Sequence, residues 1–447
     1  MSTVNYLIGG EAKMAIRFAL QSLNVPFIDK DIPYVQRVQD FLLGPEEYRL
    51  LSGAVKSIGV TSRFRDVIEK FKVPKNEIPA GFRVESKLCS DGLLLIDLVR
   101  DISYDKNGMK RPTRVVFSAD SANPYEVEPI APLLGNLTCN PGIIYDLFIN
   151  NPKANVGNKF QTRDEVMAEL GRILGPGCDI SVELNNPFET DFEKILEECE
   201  KFKNMLTEYR VVVKVPHTGP VNAENVNELL TGDKRFSVRY DQATTEDALR
   251  GHNLAIRLRE HGYRINYTLM FEPYQTAMAL QAKPYFINSF IRHRLMQTSA
   301  LKQLLDLFEL TNDPKYLSDM RSLMLANDYL NKNEQDADLF RVLKLGKDIV
   351  RYRNIDNEYG SDGLDAVRHN LRLLRNTNLS DARLIICSME GDYNYPDIDK
   401  LMADPEYQDV IDRVVITAEP GYLARFTSTN QVVSYQRRFM NAAKGQK

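Results

Sequence analysis

The sequence is poor in the residues from which metal centres and disulfide frameworks are built. Its 447 residues include no tryptophan, five cysteines and five histidines. The cysteines are widely scattered and odd in number, which argues against a disulfide framework or a zinc knuckle. No two histidines have the i, i+4 spacing or another spacing typical of metal ligands. We therefore expect no metal ion.

Motifs for nucleotides and signals for membranes are also missing. The sequence has neither a G-x-x-x-x-G-K-[ST] loop nor a G-x-G-x-x-G turn. The longest uncharged stretch, Pro129–Tyr145, contains three prolines and two glycines, which excludes a spanning helix. The net charge of −4 creates no field that favours nucleic acid or an anionic membrane. We therefore expect a soluble cytoplasmic protein without nucleic-acid or membrane partners, and side-chain chemistry without an organic cofactor.

The first 112 residues differ in pattern from the rest. They predict a mostly helical N-terminal extension, with helix-periodic segments over residues 12–23 and 35–52. A short apolar run, Leu93–Asp97, is typical of a strand. The pattern changes at Arg114, where we place the boundary of the extension.

Beyond residue 113, short β-branched runs alternate with helical segments. The helices are clearest over Arg163–Leu174, Thr190–Tyr209 and Thr245–His261. Eight runs predict strands: Arg114–Ala119, Leu133–Thr138, Asp179–Leu184, Arg210–Pro216, Arg264–Met270, Pro284–Ser289, Ala382–Ser388 and Asp412–Thr417.

Alternation of this kind implies a parallel sheet, and eight strands are the number that a closed barrel needs. We therefore predict an α/β fold, a (β/α)8 TIM barrel over residues 113–447. Insertions are expected at about 218–250 and 295–378, the second of them helical. A ninth run, Phe236–Tyr240, is assigned to the first insertion. An open doubly wound sheet is the competing fold.

Lys214 is the most informative residue for function. It stands within Val211–Pro216, a predicted strand that is otherwise apolar. Burial lowers the pKa of an amine, and a neutral amine in a dry pocket forms a Schiff base with a carbonyl. The structural alternative is a lysine whose ammonium reaches solvent from a strand end. Its place near the C-terminal end of a barrel strand, where barrel active sites are built, favours catalysis.

Other polar residues occur at the same level of neighbouring strands. Each alone has a structural explanation as a helix cap, a turn residue or a charge at a strand end. Together, beside a buried lysine, they indicate an active site. They are Asp120, Asn140, Glu183, Asn266 and Thr268.

These segments resemble the transaldolase family with its fructose-6-phosphate aldolase relatives, which are class I aldolases on a (β/α)8 barrel. The resemblance covers residues 113–294 well and 380–430 weakly, and it does not reach the first 110 residues. The segments that carry it follow the family's order: Ser118–Asp120, Leu137–Ile144, Ser181–Glu183, Val213–Pro216, Asn266–Gln275 and Ile287–Phe290.

The resemblance implies catalytic roles for four residues. Lys214 is then the nucleophile, and Asp120 takes the hydroxyl proton during C–C cleavage. Glu183, with a water positioned by Thr268, shuttles protons during Schiff-base formation and hydrolysis. Glu183 also favours the transaldolase branch, because the small aldolase branch carries glutamine at that place. The implied substrate-binding residues are Asn140, Asn266, Asn288, Phe290, Arg292, His293 and Arg294.

The sequence departs from the family at the two arginines that hold the substrate phosphate. His293 occupies the first position, between Arg292 and Arg294, and Glu390 occupies the second. A glutamate repels phosphate, so we expect altered recognition of the far end of the substrate. The alternative is that Arg292 or Arg294 still binds an anionic tail.

We therefore predict a transaldolase-like class I aldolase of carbohydrate metabolism. It acts on a small sugar or sugar phosphate and moves a three-carbon dihydroxyacetone unit. Two alternatives stay open: a catalytically idle barrel that binds or scaffolds other molecules, and an enzyme that uses residues 292–294 on an anionic sugar without a Schiff base. The insertions are lids or contacts of a homo-oligomer, and the sequence does not decide between these.

Overall fold

The computed structural model describes residues 2–8, 11–353, 365–387 and 394–445. Side chains are described from residue 16 onward, except those of Arg292, residues 394–397 and Phe426. The chain forms two compact units. One comprises residues 1–113 with 174–179, and the other comprises 114–173 with 180–447.

The first unit contains two three-stranded sheets, in the orders β1-β2-β3 and β4-β6-β5. Its strands are β1 (Ser2–Ile8), β2 (Glu11–Ala19), β3 (Leu42–Leu43), β4 (Ser57–Val60), β5 (Phe82–Leu88) and β6 (Leu93–Arg100). Its helices are α1 (Ile32–Val35), α2 (Pro45–Ser52) and α3 (Ser62–Phe71). Helices are thus present as predicted, but they share this region with more strand than the sequence analysis foresaw.

Two of the helix predictions in this region are wrong. Residues 12–23 are mostly β2, because the alternation of Glu11, Lys13 and Arg17 with apolar residues has the period of a strand. Residues 35–52 are not one helix, because Pro45 starts α2 at its first position and cannot lie inside a longer helix. The strand expected at Leu93–Asp97 is confirmed as the first part of β6.

The second unit is a closed barrel of eight parallel strands, so the (β/α)8 prediction is confirmed. In chain order each strand neighbours the next, and the last pairs with the first, Ala418 lying opposite Ala119. The strands are β7 (Val116–Asp120), β8 (Leu134–Cys139), β9 (Asp179–Glu183), β10 (Val211–Pro216), β11 (Arg264–Met270), β12 (Phe286–Phe290), β13 (Arg383–Cys387) and β14 (Val414–Ala418). The ninth run, Phe236–Tyr240, forms no strand.

Helices connect the strands and cover the barrel. They are α4 (Pro124–Val127), α5 (Arg163–Leu174), α6 (Phe192–Leu206), α7 (Thr245–Glu260), α8 (Pro273–Gln281), α9 (Arg292–Thr311), α10 (Lys315–Ala326), α11 (Leu339–Arg353), α12 (Asp365–Arg375), α13 (Asn394–Ala403), α14 (Pro420–Ala424) and α15 (Asn430–Ala443). A π-helix spans Gly142–Ile149. No helix in the described part of the chain has the length and apolarity needed to cross a membrane.

The helical segment between β12 and β13 has a core of its own. Leu301 and Leu305 of α9 are buried against Met320 and Met324 of α10 and Val342 of α11. This packing explains why the sequence loses its strand–helix alternation here: three helices bury their apolar faces against one another.

Helix α7 packs very closely against the end of β10. A Cβ atom at Gly251 would lie 2.2 Å from the backbone oxygen of Pro216. Only a residue without a side chain permits this approach. The glycine therefore fixes the helix against the strand that carries Lys214.

Candidate active site

Lys214 lies at the same register as two polar neighbours. On β10 it is opposite Glu183 of β9 and Asn266 of β11. Its side chain is 7% exposed, and its Nζ lies 3.0 Å from Oε2 of Glu183. The flanking Val213 and Val215 are fully buried on the other face of the sheet, because strand residues alternate between faces. The alternation of strand residues thus directs the Lys214 side chain to the face opposite its valine neighbours, and the strand register places the carboxylate of Glu183 beside it.

The charge state of Lys214 differs from the sequence-based expectation. Burial disfavours the ammonium, but the carboxylates of Glu183 and Asp120 outweigh it, so the pKa of Lys214 is raised. The expectation of a lowered pKa and a neutral resting amine is therefore wrong. The resting amine is protonated, and it must pass a proton to a neighbouring group before it can act as a nucleophile.

Asp120 ends β7, in register with Thr138 of β8. Desolvation raises the pKa of its carboxyl to about 6. Lys214 opposes this shift, whereas the like charges of Glu419 and Glu183 add to it. A carboxyl with such a pKa can accept and return a proton near neutral pH.

A chain of hydrogen bonds runs through the barrel interior beside these groups. Nδ2 of Asn266 donates to Oγ of Ser181 at 3.0 Å, and this hydroxyl donates to Oδ1 of Asn136 at 3.2 Å. Nδ2 of Asn136 donates in turn to Oγ of Ser118 at 2.8 Å. All four residues are fully buried. Within the described residues Oδ1 of Asn266 has no hydrogen-bond partner, so it remains a buried acceptor.

Thr268 and Asn288 form a second buried pair. Nδ2 of Asn288 donates to Oγ1 of Thr268 at 3.1 Å, which leaves the threonine hydroxyl proton available for another acceptor. Oδ1 of Asn288 is buried without a partner in the part of the chain that is described. The pair therefore offers one donor and one acceptor to a bound molecule.

Asn140 shapes the chain at the end of β8. Its Oδ1 accepts a hydrogen bond from the backbone N–H of Ile143 at 2.9 Å. This bond closes the turn into the π-helix, which is the turn role that the sequence allowed on structural grounds. The turn also holds Asn140 at the same end of the barrel as Lys214.

Arg294 is engaged by two carboxylates. Its side chain is 8% exposed and forms ion pairs with Glu272, at 3.3 Å between Nη1 and Oε2, and with Asp365. Glu272 also pairs with Arg353 at 2.5 Å. This buried network occupies the donors that a free anion would otherwise use.

Phe290 and His293 belong to a cluster of rings at the end of β12. The ring of Phe290 lies 4.7 Å from that of Phe271, which lies 5.4 Å from the exposed imidazole of His293. The side chain of Arg292 and the residue Glu390 lie outside the described part of the protein. Their predicted roles stay predictions.

Five polar residues of the barrel interior were not predicted as part of the site. Each lies two residues along its strand from another residue that faces the interior, and two residues is the period of a strand. This spacing could have identified them from the sequence. The hydroxyls of Thr138 and Thr417 are buried without a partner among the described residues. The five are Ser118, Asn136, Thr138, Ser181 and Thr417.

No group of three or more His, Cys, Asp or Glu side chains in the described ranges could hold a metal ion. The groups near Lys214 are proton donors and acceptors arranged around one amine. Such a set is suited to covalent catalysis accompanied by proton transfer.

The model of the family described as Transaldolase/Fructose-6-phosphate aldolase matches residues 117–320. Residues 117–320 are therefore similar to a domain of that family. The matched range contains β7 to β12 with Asp120, Glu183 and Lys214. Strands β13 and β14 lie beyond the match, although they complete the barrel. No curated protein matches this chain.

Proposed function

We propose that this protein is a class I aldolase of the transaldolase type, in which Lys214 forms a Schiff base with a ketose. The observation that carries this proposal is the contact of 3.0 Å between Lys214 Nζ and Glu183 Oε2, at the C-terminal end of the barrel. A buried amine with a proton acceptor in contact is the arrangement that carbonyl condensation needs.

The first step moves a proton and forms a carbon–nitrogen bond. Lys214 gives one proton to Glu183, and its free electron pair then attacks the ketose carbonyl carbon. The carbonyl oxygen takes up protons by way of Glu183 and a water hydrogen-bonded to Thr268, and it leaves as water. The product is an iminium, whose positive nitrogen draws electrons from the bond between the α and β carbons of the sugar.

Asp120 serves the cleavage step. Its carboxylate removes the proton from the hydroxyl beyond the bond to be broken, and the released electron pair forms an aldehyde. The carbon–carbon bond breaks, and its electrons form an enamine with the iminium. The pKa of Asp120, about 6, allows it to accept this proton at neutral pH and return it in the reverse addition.

The buried amide oxygens supply binding for the three-carbon unit. Oδ1 of Asn266 and Oδ1 of Asn288 have no partner in the described residues, and substrate hydroxyls can donate to both. Leaving such acceptors unsatisfied costs about 1–3 kcal/mol each, so a polyhydroxylated ligand is favoured over an apolar one. We assign the further substrate contacts to Asn140 and Phe290.

The test is reductive trapping. Borohydride added with fructose or dihydroxyacetone should transfer a hydride to the iminium and add a stable sugar-derived mass to the peptide that contains Lys214. Lys214→Met should remove both adduct and turnover. Lys203→Met is the matched control, because that lysine lies on α6 outside the barrel interior, with its side chain 38% exposed and paired with Glu200.

Each outcome distinguishes one of the alternatives. An idle barrel gives neither adduct nor turnover with any ketose. An enzyme without a Schiff base gives turnover without an adduct, and Lys214→Met retains activity. Either result would overturn the proposal.

A further inference from the structure

The carboxyl at the end of β7 is surrounded by more negative than positive charge. Among the described residues, Lys214 lowers the pKa of Asp120, whereas the carboxylates of Glu419 and Glu183 raise it. Lys214 is in contact with Glu183, so its charge is already compensated. The described charged groups next to Asp120 therefore sum to a net negative charge.

Glu419 owes its place to the closure of the barrel. Ala418 of β14 lies opposite Ala119 of β7, so the residues that follow them, Glu419 and Asp120, end adjacent strands at the same level. Glu419 is exposed, and its side chain makes no capping hydrogen bond to α14, the helix that it precedes. Its charge therefore faces solvent at the mouth.

Arg294, the arginine after β12 whose side chain is described, does not supply a compensating charge. Arg294 is held between Glu272 and Asp365, and Glu272 also holds Arg353. An anion that recruited Arg294 would have to displace two carboxylates from a largely buried network. The rings of Phe271 and Phe290 pack together in this place, with the exposed ring of His293 beside Phe271, and such ring faces suit uncharged carbon–hydrogen groups.

We propose that the substrates of this site are unphosphorylated sugars, and that Glu419 selects against a phosphate on the far end of the ketose or on the acceptor aldehyde. This inference rests on the proposed function. It concerns the part of the substrate that does not react, so its failure can be separated from failure of the Schiff-base chemistry.

The experiment compares fructose with fructose 6-phosphate as donor, and glyceraldehyde with its 3-phosphate as acceptor. The wild type should show the higher kcat/KM for the unphosphorylated member of each pair. Glu419→Gln should raise kcat/KM for the phosphorylated member by about tenfold relative to the other. The same ratio should rise with ionic strength in the wild type, because salt screens repulsion between exposed charges.

Glu260→Gln is the matched control. Glu260 is an exposed carboxylate at the last residue of α7, at the opposite end of the barrel from Lys214. Its removal changes the net charge equally and should leave the ratio unchanged. An equal effect of both variants would show that net charge, not Glu419, sets the preference, and would overturn the inference.

Two further results would also overturn it. One is a wild-type preference for phosphosugars that is lost in Arg292→Ala, which would assign phosphate binding to that arginine. In this case trapping on Lys214 still occurs, so the proposed function stands. The other is the lack of any adduct with either fructose or fructose 6-phosphate, in which case the proposed function fails with the inference.

Discussion

The charge on Lys214 is the single-residue property that most constrains the chemistry. Removing an ammonium from water costs several kcal/mol. A carboxylate 3.0 Å away returns about 5 kcal/mol at an effective dielectric constant of about 20. The attraction prevails, so the pKa is raised. Glu183 therefore stabilises the resting ammonium and is also the group placed to remove its proton.

Asp120 leads to a prediction about pH. A base must be ionised, and the pKa of this carboxyl is raised to about 6, so Asp120 is mostly protonated at pH 5 and mostly ionised at pH 7. We expect kcat/KM to reach half its maximum near pH 6 and to level off above about pH 7. Asp120→Asn should lower kcat by about 10²- to 10⁴-fold and remove this acidic limb from the remaining activity.

Glu419→Gln tests the cause of that shift. Loss of a nearby carboxylate lowers the pKa of Asp120, so the acidic limb should move to lower pH. The measurement is a pH profile of kcat/KM for fructose cleavage in the wild type and both variants. A limb that persists unchanged in Asp120→Asn would belong to another group, and the role of Asp120 would then be wrong.

Among the secondary-structure elements, strands were predictable from the sequence where apolar residues form a short continuous run. Val211–Pro216 is apolar apart from Lys214, and the structure confirms both a strand and a lysine facing away from its valine neighbours. The segment at residues 12–23 misled because an alternating strand and an amphipathic helix share several apolar positions in a short window. The local sequence pattern therefore predicted the barrel strands better than it predicted the strands of the N-terminal unit.

Contacts between elements were not predictable from local pattern. Ser181 and Asn266 lie 85 positions apart and are hydrogen-bonded only because β9, β10 and β11 are neighbours. Arg294 and Asp365 lie 71 positions apart, on α9 and α12. The sequence therefore indicated which residues near the site are polar. It did not indicate their partners, which follow from the closed barrel. The charge of Lys214 and the ion pairs of Arg294 depend on those partners.

The contact of α7 with β10 gives an element-scale prediction. Gly251→Ala would place a methyl group 2.2 Å from the carbonyl oxygen of Pro216, so helix and strand must separate. Alanine gains about 1 kcal/mol in helix propensity. Overpacking against backbone costs about 1–3 kcal/mol or more, so we expect a lower urea midpoint and reduced activity.

Gly53→Ala is the matched control for that substitution. A Cβ at Gly53 meets nothing within 4 Å, and the residue has a negative φ, so this change should be tolerated. Equal or higher stability of Gly251→Ala would contradict the close packing of α7 on β10.

At the scale of the whole molecule, the site depends on closure of the barrel. Asp120 and Glu419 are separated by most of the second unit, and the pairing of β14 with β7 brings them to one level. The matched transaldolase range ends at residue 320, before β13 and β14. Lys214, Asp120 and Glu183, to which we assign the proposed chemistry, therefore lie inside the matched range, while Glu419, which we propose to select the substrate, lies outside it.

The last prediction concerns metal removal, which tests whether a metal ion or the Lys214 iminium withdraws electrons from the bond that breaks. Cleavage of the carbon–carbon bond needs a positive centre beside it, and either a metal ion on the carbonyl oxygen or an iminium nitrogen can supply one. In the proposed chemistry Lys214 supplies it, so dialysis against EDTA should leave kcat and KM unchanged. Lys214→Met should be inactive with and without added zinc. Activity that disappears in EDTA and returns with zinc, while Lys214→Met remains active, would assign the reaction to a metal and remove the Schiff base from the mechanism.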